Sequence, residues 1–243
     1  MLCAHRGGMY PDYAENSIRT LDFLLKSFGN KTVMAEIDIR KSKNGTLYIL
    51  HDNTLERTTT GVGKIEDASD EYLKTVKLRK GNGQVTDETL PTFAEVLEFV
   101  RKRKILLMLD VKIDDWKQVL DLVESKDALD KSLVLTFTPE NSRKVHELSP
   151  KIVVSCLVRD RNDWDVVSQI VPAGLMFAYV NKSTPEDLMT EMKHKGIFFV
   201  TDASEATTNN SAPYPADFYK ALFAKGINVL VTDLPNEVNS LLD

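Results

Sequence analysis

The stretch 105–137, ILLMLDVKIDDWKQVLDLVESKDALDKSLVLTF, decides the fold. It begins with a nearly unbroken apolar run, the pattern of a strand buried on both faces. Trp116, Val119, Leu120 and Val123 then recur at helical spacing, and the β pattern resumes at LVLTF, residues 133–137. A buried strand, an amphipathic helix and a second buried strand make a βαβ crossover, which implies a parallel sheet.

The same beat continues downstream through IVVSCLV (152–158), GLMFAYV (174–180), GIFFVTD (196–202) and INVLVTD (227–233). Helical spacing returns between them at Trp164, Val167 and Ile170, and at Leu188 and Met192. Thr138-Pro139 and Thr184-Pro185 each offer a hydroxyl cap before a proline at the first helical position, and Gly196 and Gly226 follow helix ends. Upstream, MLCAH and VMAEIDI supply two more strands, separated by a helix from about Glu15 to Phe28 striped by Ile18, Leu21, Leu25 and Phe28. Thr92 and Glu95 form a capping box ahead of another helix. Eight strands, most followed by a helix, in 243 residues fit a (β/α)8 barrel, an α/β TIM barrel, better than an open doubly wound sheet.

The sequence is read as a single domain over 1–243, carrying a small insertion after the second strand at about 40–91. Within that insertion Asn44-Gly45 is a hairpin signal between AEIDIR and LYILHD. A two-residue turn there pairs Lys43 with Thr46 and sets Asp38 opposite His51.

Composition narrows the function. A net charge of −5 at neutral pH, with no Lys/Arg cluster beyond RKRK at 101–104, argues against nucleic-acid binding. No apolar run approaches the roughly 20 residues of a transmembrane helix, and the start does not read as a signal peptide. Cys3 and Cys156 sit in apolar strand-like runs, as buried free thiols do. Neither oligomeric state nor compartment can be read from the sequence.

The chemistry sits where the first strands run out. His5-Arg6-Gly7-Gly8 ends the first apolar run, and His51 ends LYIL. Glu36 and Asp38 lie at i and i+2 on one strand and so share a face; Asp110 and Lys112 repeat the spacing on another. One such pair is usually a solvated or salt-bridged face. Several charged positions at the carboxyl ends of the first three strands, where barrel sites form, are better explained by a site. Three convergent carboxylates repel unless a cation sits among them, and all-oxygen ligation suits Ca²⁺, Mg²⁺ or Mn²⁺ better than zinc. His146 and His194, among charged helical neighbours, read as surface residues, and Asp233, between Thr232 and Pro235, as a helix-start acid.

The ordered set HRG (5–7), ENS (15–17), EIDIRKSKNGTLYILHD (36–52), LERTTTGVG (55–63), DVK (110–112) and GINVLVTDLP (226–235) resembles the glycerophosphodiester phosphodiesterase family over the whole chain. The resemblance implies a divalent metal, a small-molecule glycerophosphodiester substrate, and hydrolysis to glycerol 3-phosphate and an alcohol. It implies that His5 and His51 are the general acid/base pair and that Glu36, Asp38 and Asp110 are metal ligands. Arg6 and Lys112 would bind phosphate, and Glu15 would support the glycerol or metal end. In the implied mechanism one histidine deprotonates the glycerol 2-hydroxyl, which attacks phosphorus, the other protonates the leaving alcohol, and water opens the cyclic phosphate. Asp110 stands where the family usually has Glu, Ala14 where it usually has Pro, and Val200-Thr201-Asp202 where many members carry Trp-Thr. Two rival readings are a lysophospholipase D-like activity on lysophospholipids and a barrel that binds phosphodiesters without turnover.

Overall fold

The computed structural model describes residues 1–204 and 212–242. Its strands in chain order are β1 (Leu2–Ala4), β2 (Val33–Lys41), β3 (Leu47–Ile49), β4 (Lys77–Arg79), β5 (Val85–Thr89), β6 (Ile105–Val111), β7 (Ser132–Thr136), β8 (Val153–Leu157), β9 (Met176–Tyr179), β10 (Phe198–Asp202) and β11 (Val229–Thr232). The helices are α1 (Ile18–Phe28), α2 (Asp70–Leu73), α3 (Phe93–Val100), α4 (Trp116–Ser125), α5 (Pro139–Leu148), α6 (Arg161–Val167), α7 (Glu186–His194), α8 (Ala216–Ala224) and α9 (Pro235–Leu242). Eight strands run parallel in the order β1, β2, β6, β7, β8, β9, β10, β11, and pairing of β1 with both β2 and β11 closes the (β/α)8 barrel. β3 adds antiparallel to the far end of β2.

The two-residue period of the strands sorts the core into layers. Ala35, Ile37 and Ile39 of β2 and Leu107 and Leu109 of β6 face outward into the large core beneath the helices. Cys3, Met34, Met108, Leu133, Leu135, Val200, Val229 and Val231 fill the barrel interior. Continuing the inward parity toward the carboxyl ends, Met34 is followed by Glu36 and Asp38, and Met108 by Asp110 and Lys112. The barrel therefore has an apolar floor and a charged mouth. Both cysteines are buried and free, as their context predicted.

Between β2 and α3 a third cluster, including Ala14, Tyr48, Leu50, Leu55, Ile65, Leu73, Leu78 and Leu90, orders the loops with an apolar centre of their own. β4 and β5 form a separate hairpin there.

Three local expectations need correcting. β2 and β3 pair Ile39 with Ile49 and Lys41 with Leu47, one residue out from the two-residue-turn register. Ser42 accepts from the Gly45 N–H and donates to the Thr46 carbonyl, so the loop holds three residues and Gly45, at φ 90°, takes the left-handed position. Leu50, not His51, is thus the residue facing Asp38, and its N–H donates to the Asp38 carbonyl at 3.0 Å. α1 starts at Ile18 rather than Glu15, because Asn16 takes φ 55° and Ser17 caps the helix by accepting from the Thr20 N–H. Thr184 does not cap α7; its hydroxyl instead donates to the Val158 carbonyl at 2.7 Å. The Thr138 cap and the Thr92–Glu95 capping box form as predicted. Among the described residues no helix is long and apolar enough to cross a membrane.

Candidate active site

At the end of β1 the chain turns sharply through His5–Gly7, and Arg6 adopts φ 52° and ψ 29°. A left-handed non-glycine residue is strained and persists only when its surroundings hold it. Here the Arg6 N–H donates to Glu36 Oε2 at 2.8 Å and its carbonyl accepts from the Asn16 N–H at 2.8 Å. The two glycines after it have positive φ as well, and at Gly8 a Cβ would lie 2.6 Å from the Tyr10 ring. The HRGG sequence is therefore the turn that pins the first strand's end against Glu36.

Strand register brings the acids together. β2 and β6 pair in parallel with Asp38 beside Asp110 and Glu36 beside Met108. Glu36, Asp38 and Asp110 offer oxygens all within 4.8 Å of one another. Asp38 also accepts from Asn16 Nδ2 at 3.0 Å, and Lys112 Nζ reaches Asp110 Oδ2 at 2.5 Å and Asp38 Oδ1 at 3.3 Å. Burial, reinforced by the neighbouring Asp38 charge, pushes the Glu36 carboxyl well above the usual carboxylate range. Burial also raises Asp110, in spite of Lys112 beside it. One lysine does not balance two buried acids and a half-buried third, and a compact set of carboxylate oxygens is the donor set of a hard divalent cation. The residues fit such an ion.

The same register logic supplies the partner of His5. β1 and β11 pair Ala4 with Thr232, so the next residues, His5 and Asp233, emerge side by side. His5 Nδ1 meets Asp233 Oδ1 at 2.8 Å, while Nε2 faces Glu36 Oε2 at 4.0 Å. Burial opposes charging the ring, but the Asp233 hydrogen bond and the charges of Glu36 and Asp233 outweigh it and raise the His5 pKa. Asp233, expected to be a helix-start acid, thus also meets the histidine; α9 begins two residues later.

His51 follows β3 and has its own carboxylate. Its Nδ1 lies 2.7 Å from Asp52 Oδ1, and a charge on its ring would offset part of the rise at Asp110. Asp52 is held well below the usual carboxylate range, first by hydrogen bonds from Arg57 and then by that of His51. Glu15, expected near the glycerol or metal end, accepts both terminal nitrogens of Arg57, at 2.8 and 2.7 Å, and lies 3.5 Å from Arg6 Nη1. Arg6 Nε is buried and has no hydrogen-bond partner among the described residues. A cavity of about 670 Å³ opens beside this cluster, lined among others by Tyr10, Tyr13, Glu15, Arg57, Arg79 and Asp233. His146 and His194 lie on the outer helices α5 and α7. At the seventh barrel strand Thr201 donates to the Val180 carbonyl and Asp202 accepts from Ser204.

Sequence reasoning missed three members of this site: Asp233, Asp52 and Arg57. Asp52 adjoins His51, and Asp233 could have been found by aligning the first and last strands as parallel neighbours. Arg57 carries no such signal, since its partners meet only once the loops fold.

A barrel mouth with three clustered acids and two histidines, each braced at Nδ1 by a carboxylate, has the make-up of a hydrolase for anionic esters. Comparison with known proteins narrows that class: the Glycerophosphoryl diester phosphodiesterase family matches residues 5–231. The chain belongs to this family. Similar proteins include the uncharacterized protein YqiK of Bacillus subtilis, 25% identical across 98% of this chain and 97% of its own length. Glycerophosphodiester phosphodiesterase 1 of Mus musculus is 28% identical over 63% of this chain, which spans 47% of that protein. Among solved structures, a glycerophosphoryl diester phosphodiesterase from Parabacteroides distasonis superposes with a TM-score of 0.88 at 24% identity, covering 100% of this chain and 85% of the other. An Oleispira antarctica phosphodiesterase, solved in complex with the product sn-glycerol-3-phosphate, gives 0.77 at 21% identity over 100% and 96% of the two chains.

Proposed function

We propose that this protein hydrolyses glycerophosphodiesters to glycerol 3-phosphate and an alcohol, with His5 and His51 as the acid/base pair and a divalent cation on Glu36, Asp38 and Asp110. The observation that carries the reading is the pairing of two Nδ1-braced imidazoles with one compact acid cluster at the same barrel mouth. Glycerol 3-phosphate in the Oleispira relative supports the product assignment. A bound divalent cation would offset the phosphodiester's charge and polarise a phosphoryl oxygen.

Each remaining part follows from a named group. Arg6 keeps a buried Nε–H without a partner among the described residues, a donor suited to a phosphate oxygen. Lys112 adds a second cation beside Asp110. Asp52 and Asp233 each meet a histidine at Nδ1, leaving Nε2 for proton exchange with substrate. One ring takes the proton of the glycerol 2-hydroxyl as its oxygen attacks phosphorus. The other gives a proton to the departing alcohol, and water opens the cyclic phosphate by the reverse sequence.

The test is turnover of glycerophosphocholine and lysophosphatidylcholine side by side, with and without EDTA. Chelator-sensitive release of glycerol 3-phosphate from the first is expected. Preferential turnover of the lysophospholipid would transfer the assignment to that substrate, and turnover of neither would leave a binding protein. His5→Ala and His51→Ala should each lower kcat at least about a hundredfold, the usual worth of a positioned acid or base. A variant at near-normal rate removes that histidine from the mechanism.

A further inference from the structure

Among the described residues Arg57 makes no hydrogen bond to either histidine, yet four of its N–H contacts converge on the carboxylates Glu15 and Asp52. Nη1 and Nη2 donate to the two oxygens of Glu15 at 2.8 and 2.7 Å, while Nε and Nη2 donate to Asp52 at 2.5 and 3.0 Å. The planar guanidinium is the side chain whose fixed fork can hold two carboxylates in this way; an ammonium offers no such geometry. Asp52 Oδ1 receives Arg57 Nη2 and His51 Nδ1 together. An ionised carboxylate only accepts, so this contact requires the proton of neutral His51 to sit on Nδ1, with Nε2 bearing the free lone pair. The other carboxylate, Glu15, lies 3.5 Å from Arg6 in the turn that carries His5.

We propose that Arg57 is a positioning residue for catalysis: by clamping Asp52 to Glu15 it fixes the tautomer and direction of the His51 ring and ties that ring to the His5–Arg6 turn. This rests on the reading of His51 as an acid/base group. It also gives Glu15 a task besides supporting the glycerol or metal end, because each of its oxygens accepts from Arg57. Arg57 acts through Asp52, so its removal does to His51 what removal of Asp52 does.

Two measurements test the clamp. The first is a kinetic cycle with Arg57→Gln, Asp52→Ala and the double variant on glycerophosphocholine. Each single change should lower kcat about tenfold to a hundredfold with KM changed less than about threefold, and the double variant should be no worse than the poorer single by more than about threefold. Multiplying losses, or a loss confined to KM, would make Arg57 a substrate contact and overturn the proposal. The second uses ¹⁵N-histidine NMR of the full chain without substrate, with the His51 signal assigned through His51→Asn. Wild type should show the Nδ1–H form and Arg57→Gln a shift toward Nε2–H; an unchanged tautomer refutes the clamp. Should Arg57→Gln fold poorly, Arg57→Lys keeps the charge but loses the fork, and a wild-type tautomer and kcat in that variant would refute the claim equally. If wild type turns over no glycerophosphodiester, the proposed function fails while the NMR measurement still decides the clamp.

Discussion

Gly81 is the position where one added methyl group should act on the site from a distance. The turn that follows β4 lies against the loop after His5: the Gly81 N–H donates to the Tyr13 carbonyl at 2.9 Å and the Asn82 N–H to the Pro11 carbonyl at 3.0 Å. A Cβ at Gly81 would stand 2.6 Å from the Tyr10 carbonyl oxygen and 3.3 Å from Pro11 Cα, both backbone atoms with no rotamer to move. Relieving the contact to the 3.4 Å of ordinary packing requires the two segments to part by about 0.8 Å. That stretches both hydrogen bonds to about 3.7–3.8 Å, beyond useful range. Two lost bonds at about 1 kcal/mol each make Gly81→Ala cost about 2 kcal/mol. For a chain of this size the melting temperature should fall by about 4–8 °C. The loosened loop carries Glu15, so kcat on glycerophosphocholine should fall severalfold as well. Calorimetry and amide exchange at residues 81 and 82 are the assays. A wild-type melting temperature with unchanged protection at both amides would refute the reasoning, since it would mean that the loops do not bear on each other as described.

Two other predictions concern charge. Glu36→Gln keeps an oxygen for the Arg6 N–H but removes a charge that burial disfavours, so the variant should melt higher than wild type in EDTA. Wild type should gain stability on adding Ca²⁺, Mg²⁺ or Mn²⁺, about 2.7 kcal/mol at a hundredfold excess over Kd, and the variant should not; equal gains would remove Glu36 from the ion's ligands. On the outer layer, Glu191 of α7 accepts from Arg161 and Trp164 of α6 and from Lys195. Arg161 first, then Lys195 and Trp164, pull its pKa down to about 2. A depressed carboxylate contributes stability above its unfolded value near 4.3 and loses it as pH falls through the folded value. The melting gap between wild type and Glu191→Gln should therefore be widest at neutral pH and shrink between about pH 4 and 2; a pH-independent gap would assign the effect to packing.

The periodicities made the barrel legible before any coordinate. Runs such as ILLMLDVK carry no alternation because both faces are buried, and their repetition with helices of stripe-like apolar spacing leaves few architectures. The strand period of two also put Glu36 with Asp38 and Asp110 with Lys112 on common faces, as they are. Turn geometry was less legible. Asn44-Gly45 serves both two-residue hairpins and three-residue loops ending in a left-handed glycine, and a single residue of difference moved Leu50 into the place expected for His51. The helix-start pattern around Glu15 could not reveal that Asn16 would adopt φ 55° to hold Asp38, since that conformation is imposed by a contact 22 residues away.

Asp233 carries the wider consequence. Its contact with His5 spans 228 residues, so the orientation of a group at the chain's start depends on the last strand closing the barrel. In a parallel sheet each strand end delivers its next residue to the same rim, and the β1–β11 register of Ala4 with Thr232 makes the neighbours His5 and Asp233 a consequence of closure. His51 needs no closure, because its carboxylate is the following residue and the clamp holding it comes from residues 15 and 57. The two imidazoles thus take their carboxylates from different parts of the structure, which meet through Arg57, Glu15 and Arg6. Perturbing the β1–β11 seam should therefore lower activity through His5 before it alters the His51 tautomer in ¹⁵N-histidine NMR, whereas Arg57→Gln should alter that tautomer with the His5–Asp233 pair still in place.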